Sequence, residues 1–149
     1  MKSMSYPMTR NPRGKAIIIN NVKDLAQRES ERFKCIFTQL LFKVSMLFNL
    51  TAEEIENKMI EIRDEIDQEY ENNDYKPQAL IVMVISHGQD DRVYGKNYLN
   101  GSDLEDWAQI HDIVDIFGGD DDYLSGFVKM FFFNCCRTGN LIEMIIWNQ

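Results

Sequence analysis

The chain has 149 residues, of which 44% are hydrophobic and 27% are charged, so it is long enough to bury the core of one soluble globular domain. Its 24 acidic residues outnumber its 16 basic residues and give a formal net charge of −8, which argues against nucleic acid and against an anionic membrane as partners. No apolar run in the sequence approaches the length of a membrane span, and its first residues lack the hydrophobic core of a signal peptide.

The three cysteines, Cys35, Cys135 and Cys136, are an odd number without the spacing of a disulfide framework. This pattern favours a reducing compartment, and we expect the protein to be cytoplasmic. Any histidine-dependent chemistry must use His87 or His111, the two histidines of the sequence. We expect no metal and no other cofactor.

The first elements in chain order are predicted to be a strand, a helix and a second strand. The apolar segment Gly14–Asn20 is typical of a short buried strand, and "FKVSMLF" (42–48) is predicted to be the next. Between them, residues 29–42 are predicted to form a helix. Its apolar face would consist of Phe33, Ile36, Phe37, Leu40 and Leu41.

A long amphipathic helix is predicted to follow, beginning at the capping box Thr51-Ala-Glu-Glu54. Carboxylates occupy its other face, where a solvated surface explains them better than a cation site, because they follow the period of exposure. Its apolar stripe would consist of Ile55, Met59, Ile62, Ile66 and Tyr70.

The second half of the chain is predicted to add two buried strands and one helix. "ALIVMVISHG" (79–88) is apolar on both faces, as in a strand covered by helices on both sides. A second capping box, Ser102-Asp-Leu-Glu105, is predicted to begin a helix, and "GFVKMFFFNCC" (126–136) is predicted to be the last strand. The seam of that helix would be Leu104, Trp107, Ala108, His111, Val114 and Phe117, so His111 is expected to be a core histidine.

The alternation of strands and helices predicts an α/β domain with a mainly parallel sheet and helices on both faces. We expect a single domain over residues 1–149, with a core of about residues 6–139. Residues 140–149 form an atypical apolar tail.

Reactive side chains follow two of the predicted strands. His87-Gly88 follows one, and Cys135-Cys136 follows the other; the carboxyl ends of parallel strands meet at one edge of a sheet, where functional groups gather. A thiolate attacks a carbonyl, an imidazole protonates the leaving amine, and the N–H of a glycine is well suited to bind an oxyanion. The alternative is that a cysteine at a strand end is only a small buried hydrophobic residue.

These residues and several longer stretches resemble the caspase family of cytosolic cysteine endopeptidases, which cut after aspartate. Its signature is Gln-Ala-Cys-Arg-Gly with a histidine about fifty residues upstream, and "NCCRT" (134–138) takes the place of the cysteine box. The resemblance runs from Tyr6 to about Gly139. Its other stretches are "YPMTRNPRGKAIIINN", "FTQLLFKVSML", "LTAEEI" and "VMVISHGQDDRVYG".

The resemblance implies a caspase-like three-layer sandwich and a catalytic dyad. It makes His87 the general acid and base and Cys136 the nucleophile, with the backbone N–H groups of Gly88 and Cys136 as oxyanion donors. Cys135 would face away from the site, because successive strand residues point to opposite faces. Apoptotic or immune signalling is the family-level expectation for its role.

The sequence departs from the family where the substrate aspartate would bind. Asn134 replaces a longer glutamine, and Thr138 replaces a glycine. The family also carries an arginine between the first strand and the first helix, which is a natural receptor for a carboxylate. Here that loop is shortened, and the stand-ins for its arginine would be Lys23 and Arg28.

A further departure is that the sequence ends soon after the cysteine box, so we expect the small-subunit strands to be missing and the last sheet edge to be uncovered. The first hypothesis is a caspase-like endopeptidase that needs a small subunit and acts on proteins with aspartate at the cleavage position. The second is a pseudo-caspase that regulates an active caspase by pairing with it. The third is an α/β binding module without thiol chemistry.

Overall fold

In the computed structural model of the chain, the described residues are 6–22, 25–135 and 143–147. Within them the strands are β1 Gly14–Asn20, β2 Phe42–Phe48, β3 Ala79–Ile85, β4 Gly88–Gln89, β5 Arg92–Tyr94, β6 Trp107–Gln109, β7 Val128–Asn134 and β8 Glu143–Trp147. The helices are α1 Leu25–Gln39, α2 Ala52–Asn73, α3 Lys96–Leu99 and α4 Ile110–Asp115, with a 3₁₀ turn at Asp122–Leu124.

The main sheet has five strands in the order β2-β1-β3-β7-β8. The first four strands are parallel, and β8 runs antiparallel to β7. Asn20 at the end of β1 is opposite Ile85 at the end of β3, and Ile85 is in turn opposite Asn134 at the end of β7. The predicted α/β fold with a mainly parallel sheet is confirmed, and its four parallel strands end at one common edge.

Two apolar layers enclose this sheet, as the continuous apolar run of β3 predicted. Leu80, Val82 and Val84 pack in one core cluster with the buried face of α2, whereas Ile81 and Met83 pack in another cluster with Phe37 of α1. Alternate strand residues therefore supply opposite layers. The predicted α2 stripe is buried at Ile55, Met59, Ile62 and Ile66, and burying each such side chain contributes about 2 kcal/mol of transfer free energy.

The position and the apolar face of α1 differ from the prediction. The helix ends at Gln39 rather than Phe42, because the chain turns into β2 through Leu41, which has a φ of 67°. Phe37 is buried, whereas Ile36, Leu40 and Leu41 are exposed. Ile36 and Phe37 do lie on the helix, but fewer of the apolar residues pack against the sheet than the sequence indicated.

The prediction that a helix begins at the second capping box is wrong. Ser102 and Glu105 donate their N–H groups to the side chains of Asn100 and Asp103, which hold local turns instead of a helix start. The chain then forms β6, and only a short α4 follows. His111 lies on the outer side of α4 with its side chain 64% exposed, 3.0 Å from a carboxylate oxygen of Asp112, so it is not a core histidine.

The expectation of an uncovered sheet edge beside β7 is also wrong. Residues of the apolar tail form β8, and Phe133 is paired with Glu143 and Lys129 with Trp147. The tail therefore extends the sheet rather than leaving the backbone groups of β7 unpaired. Among the described residues, no helix combines the length and the apolar composition that crossing a membrane requires.

A small antiparallel sheet has the strand order β4-β5-β6, and the buried carboxylate of Asp106, just before β6, holds two helices together. One Asp106 oxygen accepts a hydrogen bond from the N–H of Ala52 at 2.7 Å, and the other accepts from the N–H of Asn97 at 2.8 Å. These two N–H groups belong to the first turns of α2 and α3, where a helix offers unpaired donors. A single side chain therefore fixes α3 relative to α2.

We expect Asp106→Asn to lower the free energy of unfolding by about 1–3 kcal/mol, because a carboxamide has one acceptor oxygen for two buried N–H donors. Urea titration followed by circular dichroism measures this change. The matched control is Asp103→Asn, because Asp103 accepts one exposed hydrogen bond, from Glu105, and should change stability by no more than about 0.5 kcal/mol. Equal unfolding midpoints for the two variants would contradict the role assigned to Asp106.

Candidate active site

A cleft of about 410 Å³ opens at the carboxyl ends of β1, β2 and β3. This is the edge of a parallel sheet at which ligands generally bind. The described residues that line it are Asn21, Val22, Asn49, His87, Lys96, Leu99 and Asn100. The cleft thus contains the predicted catalytic histidine.

His87 is exposed in this cleft, while its backbone is held by the small sheet. The His87 carbonyl accepts a hydrogen bond from the N–H of Tyr94 at 2.9 Å. The preceding residue, Ser86, donates its N–H to the carbonyl of Asn134 at 3.2 Å and its hydroxyl to the carbonyl of Tyr94 at 2.7 Å. These bonds fix the main chain at His87 to β5 and to the end of β7, so the imidazole extends from a rigid base.

Gly88 occupies a position with no room for a side chain. A Cβ atom there would lie 2.1 Å from the carbonyl oxygen of Arg92 and 3.3 Å from the Cβ of Cys135. The first distance is far below any van der Waals contact, and the backbone atom concerned has no rotamer by which to move away. The absence of a side chain is therefore a steric requirement of the β4–β5 hairpin.

The hairpin register also sets the direction of the Gly88 N–H group. Gly88 is paired with Val93, next to the pair His87–Tyr94, which is joined by a hydrogen bond. In an antiparallel ladder bonded and non-bonded pairs alternate, so the Gly88 N–H is directed away from β5. The oxyanion role of this N–H group stays a prediction.

Of the two neighbouring cysteines, the structure describes Cys135 and not Cys136. Cys135 is 6% exposed and packs in the core cluster that includes Val84 and Phe133. It is part of the core, as the alternation along β7 predicted. Cys136, the predicted nucleophile, lies outside the described residues, and so does Thr138.

The residues predicted to bind a substrate carboxylate are not found among the described residues that line the cleft. Arg28 is exposed on α1, and Asn134 is half-buried at the end of β7, where its carbonyl accepts the Ser86 N–H. Lys23 lies outside the described residues. Of these residues, the structure describes Arg28 and Asn134, and neither lines the cleft of His87.

Sequence reasoning missed the cation that the cleft does contain, Lys96. Its ammonium lies 3.4 Å from a carboxylate oxygen of Glu54. The pKa of Glu54 is lowered, first by the hydrogen bond from the backbone N–H of Thr51 and further by Lys96. A lysine directly after a short strand and a glycine carries no signal in the sequence, because its neighbour Glu54 is 42 positions away in the chain.

A second cleft, of about 450 Å³, lies at the opposite end of the sheet. Its walls include Pro12, Tyr75 and Pro77, and its Lys15 forms ion pairs with Glu65 and Glu69. None of the predicted site residues that the structure describes lines it. Within the part of the chain that the structure describes, no group of three or more His, Cys, Asp or Glu side chains is arranged to hold a metal ion.

Comparisons with known proteins find similar sequences over most of this chain. The sequence is 29% identical to mouse caspase-8 over 91% of this chain, and 28% identical to chicken caspase-2 over 90% of it. The matches cover 29% and 31% of those two proteins, so the chain spans less than a third of the length of these relatives.

The fold is similar to the crystal structure of caspase-1 from Spodoptera frugiperda. The TM-score is 0.68 at 24% identity, and the similarity covers 88% of this chain and 51% of the other. The family model of the caspase domain (Peptidase_C14) matches residues 13–145. The chain therefore belongs to the caspase family of cysteine peptidases.

Proposed function

We propose that this chain is the large-subunit part of a cysteine endopeptidase that cleaves peptide bonds after aspartate and needs a small subunit for activity. The observation that carries the proposal is the position of His87, exposed in a cleft at the carboxyl edge of the sheet and fixed through its backbone. A histidine serving only packing would be buried, and a surface histidine would not require this anchoring.

The register of the sheet supports a partnership between His87 and Cys136. Ile85 is paired with Asn134 in adjacent parallel strands. His87 follows Ile85 by two residues, and Cys136 follows Asn134 by two residues. Equivalent positions beyond two paired strand ends are natural neighbours, as nucleophile and base must be.

In the proposed reaction each group has one task. The Cys136 thiolate attacks the backbone carbonyl carbon of the substrate aspartate, and the oxygen takes up negative charge that the N–H groups of Gly88 and Cys136 stabilise. The His87 imidazolium gives its proton to the leaving amine, and an acyl thioester remains. Water then gives a proton to His87 and attacks the thioester, which releases the carboxylic acid and restores the thiolate–imidazolium pair.

A second candidate function is a regulator that has lost catalysis and acts by pairing with an active caspase. The observation that favours it is the absence, among the described residues lining the cleft, of Arg28 and Asn134, two predicted carboxylate-binding residues. Its partner would be another caspase, and protein binding would replace proteolysis as its effect.

The two histidines of the chain offer a matched test of the catalytic role. Both are exposed, but only His87 lies in the cleft. In the complex with a caspase small subunit, we expect His87→Asn to lower kcat/KM on an aspartyl reporter peptide by at least about 10²-fold, the typical contribution of a general acid or base. His111→Asn should retain activity. Equal rates for the two variants would exclude His87 as a catalytic residue.

The adjacent cysteines offer a second matched pair. We expect Cys136→Ala to abolish turnover and Cys135→Ala to retain it with a modest loss of stability, because Cys135 packs in the core. The pH dependence of alkylation at Cys136 in the complex should show a thiol pKa below the ordinary value of about 8.5, and His87→Asn should raise it. An ordinary thiol pKa in both proteins would argue against an activated dyad.

Reconstitution distinguishes the two candidate functions. We expect negligible turnover from the purified chain and restored cleavage when a caspase small subunit is added. The regulator instead predicts that the activity of an added active caspase changes, and that this change survives Cys136→Ala. Cleavage by the chain without any partner, lost in Cys136→Ala, would contradict the need for a small subunit.

A further inference from the structure

Among the described residues that line the His87 cleft, Lys96 has the only side chain with a permanent charge. The whole chain carries a formal net charge of −8, so this cation beside the candidate catalytic residue is opposite in sign to the net charge of the chain. Asn49 and Asn100 also line the cleft, and a carboxamide is a group that can donate hydrogen bonds to carboxylates. This combination favours an anionic ligand group.

The backbone of Lys96 is held firmly, whereas its side chain is not. The Lys96 N–H donates to the carbonyl of Leu50 at 2.9 Å, and the next N–H, that of Asn97, donates to Asp106. Both bonds attach α3 to the start of α2. The side chain is 39% exposed, so its ammonium has room to move on a fixed base.

The present partner of Lys96 is a weak competitor for a ligand. Glu54 lies 3.4 Å from the ammonium, and its side chain is 49% exposed. Exposed ion pairs contribute little free energy. Glu54 also accepts the N–H of Thr51 at 2.7 Å in the capping box of α2, so it keeps a strong hydrogen bond when Lys96 turns to another carboxylate.

We propose that Lys96 binds the carboxylate of an acidic peptide side chain in the His87 cleft and sets a preference for aspartate over asparagine. The proposal rests on the proposed function for the identity of the ligand, a peptide. It assigns the carboxylate-binding role to α3, in place of the α1 residue Arg28 and of Lys23. Lys96 is a specificity-determining residue in this assignment, and it takes no part in bond cleavage.

Binding without turnover tests this assignment. The parent protein is the full chain with Cys136→Ala, and the probes are Ac-Val-Ala-Val-Asp-NH2 and Ac-Val-Ala-Val-Asn-NH2, which differ in one charge. Titration calorimetry gives the ratio of their dissociation constants. We expect the parent to bind the aspartyl peptide about fivefold more tightly, the effect of one partly exposed charge pair, and the preference to fall with salt.

Three variants test whether Lys96 causes the preference for the aspartyl peptide. Lys96→Met should reduce the ratio to about one, and Lys96→Arg should keep it. The matched control is Lys58→Met, which removes an ion-paired lysine of α2 that does not line the cleft and should leave the ratio unchanged. A preference that survives Lys96→Met, or the absence of any preference or binding in the parent, overturns the proposal.

Glu54→Gln tests the competition directly. Glutamine also serves at this position of a capping box, so the substitution removes the competing charge while α2 keeps its cap. We expect the aspartyl peptide to bind about twofold more tightly and the asparaginyl peptide to bind unchanged. Equal gains for both peptides would contradict the proposal. Since no binding assay here needs turnover, a chain that prefers aspartate but gives no cleavage even with a caspase small subunit would refute the endopeptidase and leave the Lys96 assignment standing.

Discussion

The buried carboxamide of Asn21 joins three segments of the chain at the edge of the sheet where the cleft opens. Its oxygen accepts the N–H of Leu50 at 2.9 Å, and its nitrogen donates to the carbonyl of Leu50 at 2.9 Å and to that of Tyr94 at 3.4 Å. Residue 21 follows β1, residue 50 follows β2, and Tyr94 ends β5. A buried polar group of this kind is favourable only when it is fully paired, so its bonds specify one arrangement of the three segments.

The positions of the candidate functional residues follow from that arrangement. Tyr94 accepts from Asn21 and Ser86 and donates to His87, so the β4–β5 hairpin is tied to both β1 and β3. Leu50 in turn accepts the N–H of Lys96. The base of the imidazole and the base of the ammonium are therefore attached to the same short network. Functional groups on such a rigid base keep their geometry better than groups on independent loops.

The parts of this structure that the sequence predicted are those with a strong local pattern. Strands β1 and β3 have long apolar runs, and the capping box of Thr51 and Glu54 forms as expected, with both reciprocal hydrogen bonds present. The small sheet was missed because strands of two and three residues have no measurable period. The box at Ser102 does not form because the N–H groups of Ser102 and Glu105 bond in local turns, and because Asp106 is bound to α2 through a tertiary contact that a local pattern does not show. Lys96 was missed for the same reason.

The difference between an enzyme and a regulator then depends on how the cleft holds a carboxylate. An arginine is a planar fork that fits a carboxylate through two parallel bonds, whereas a lysine is a point charge on a flexible stem. A receptor built on Lys96 attracts an acidic side chain without fixing its plane. Positioning of the scissile bond against Cys136 must then depend more on the peptide backbone and on whatever chain completes the cleft. The inferred receptor and the proposed need for a small subunit thus share one physical basis, since a point charge selects the ligand but does not orient it.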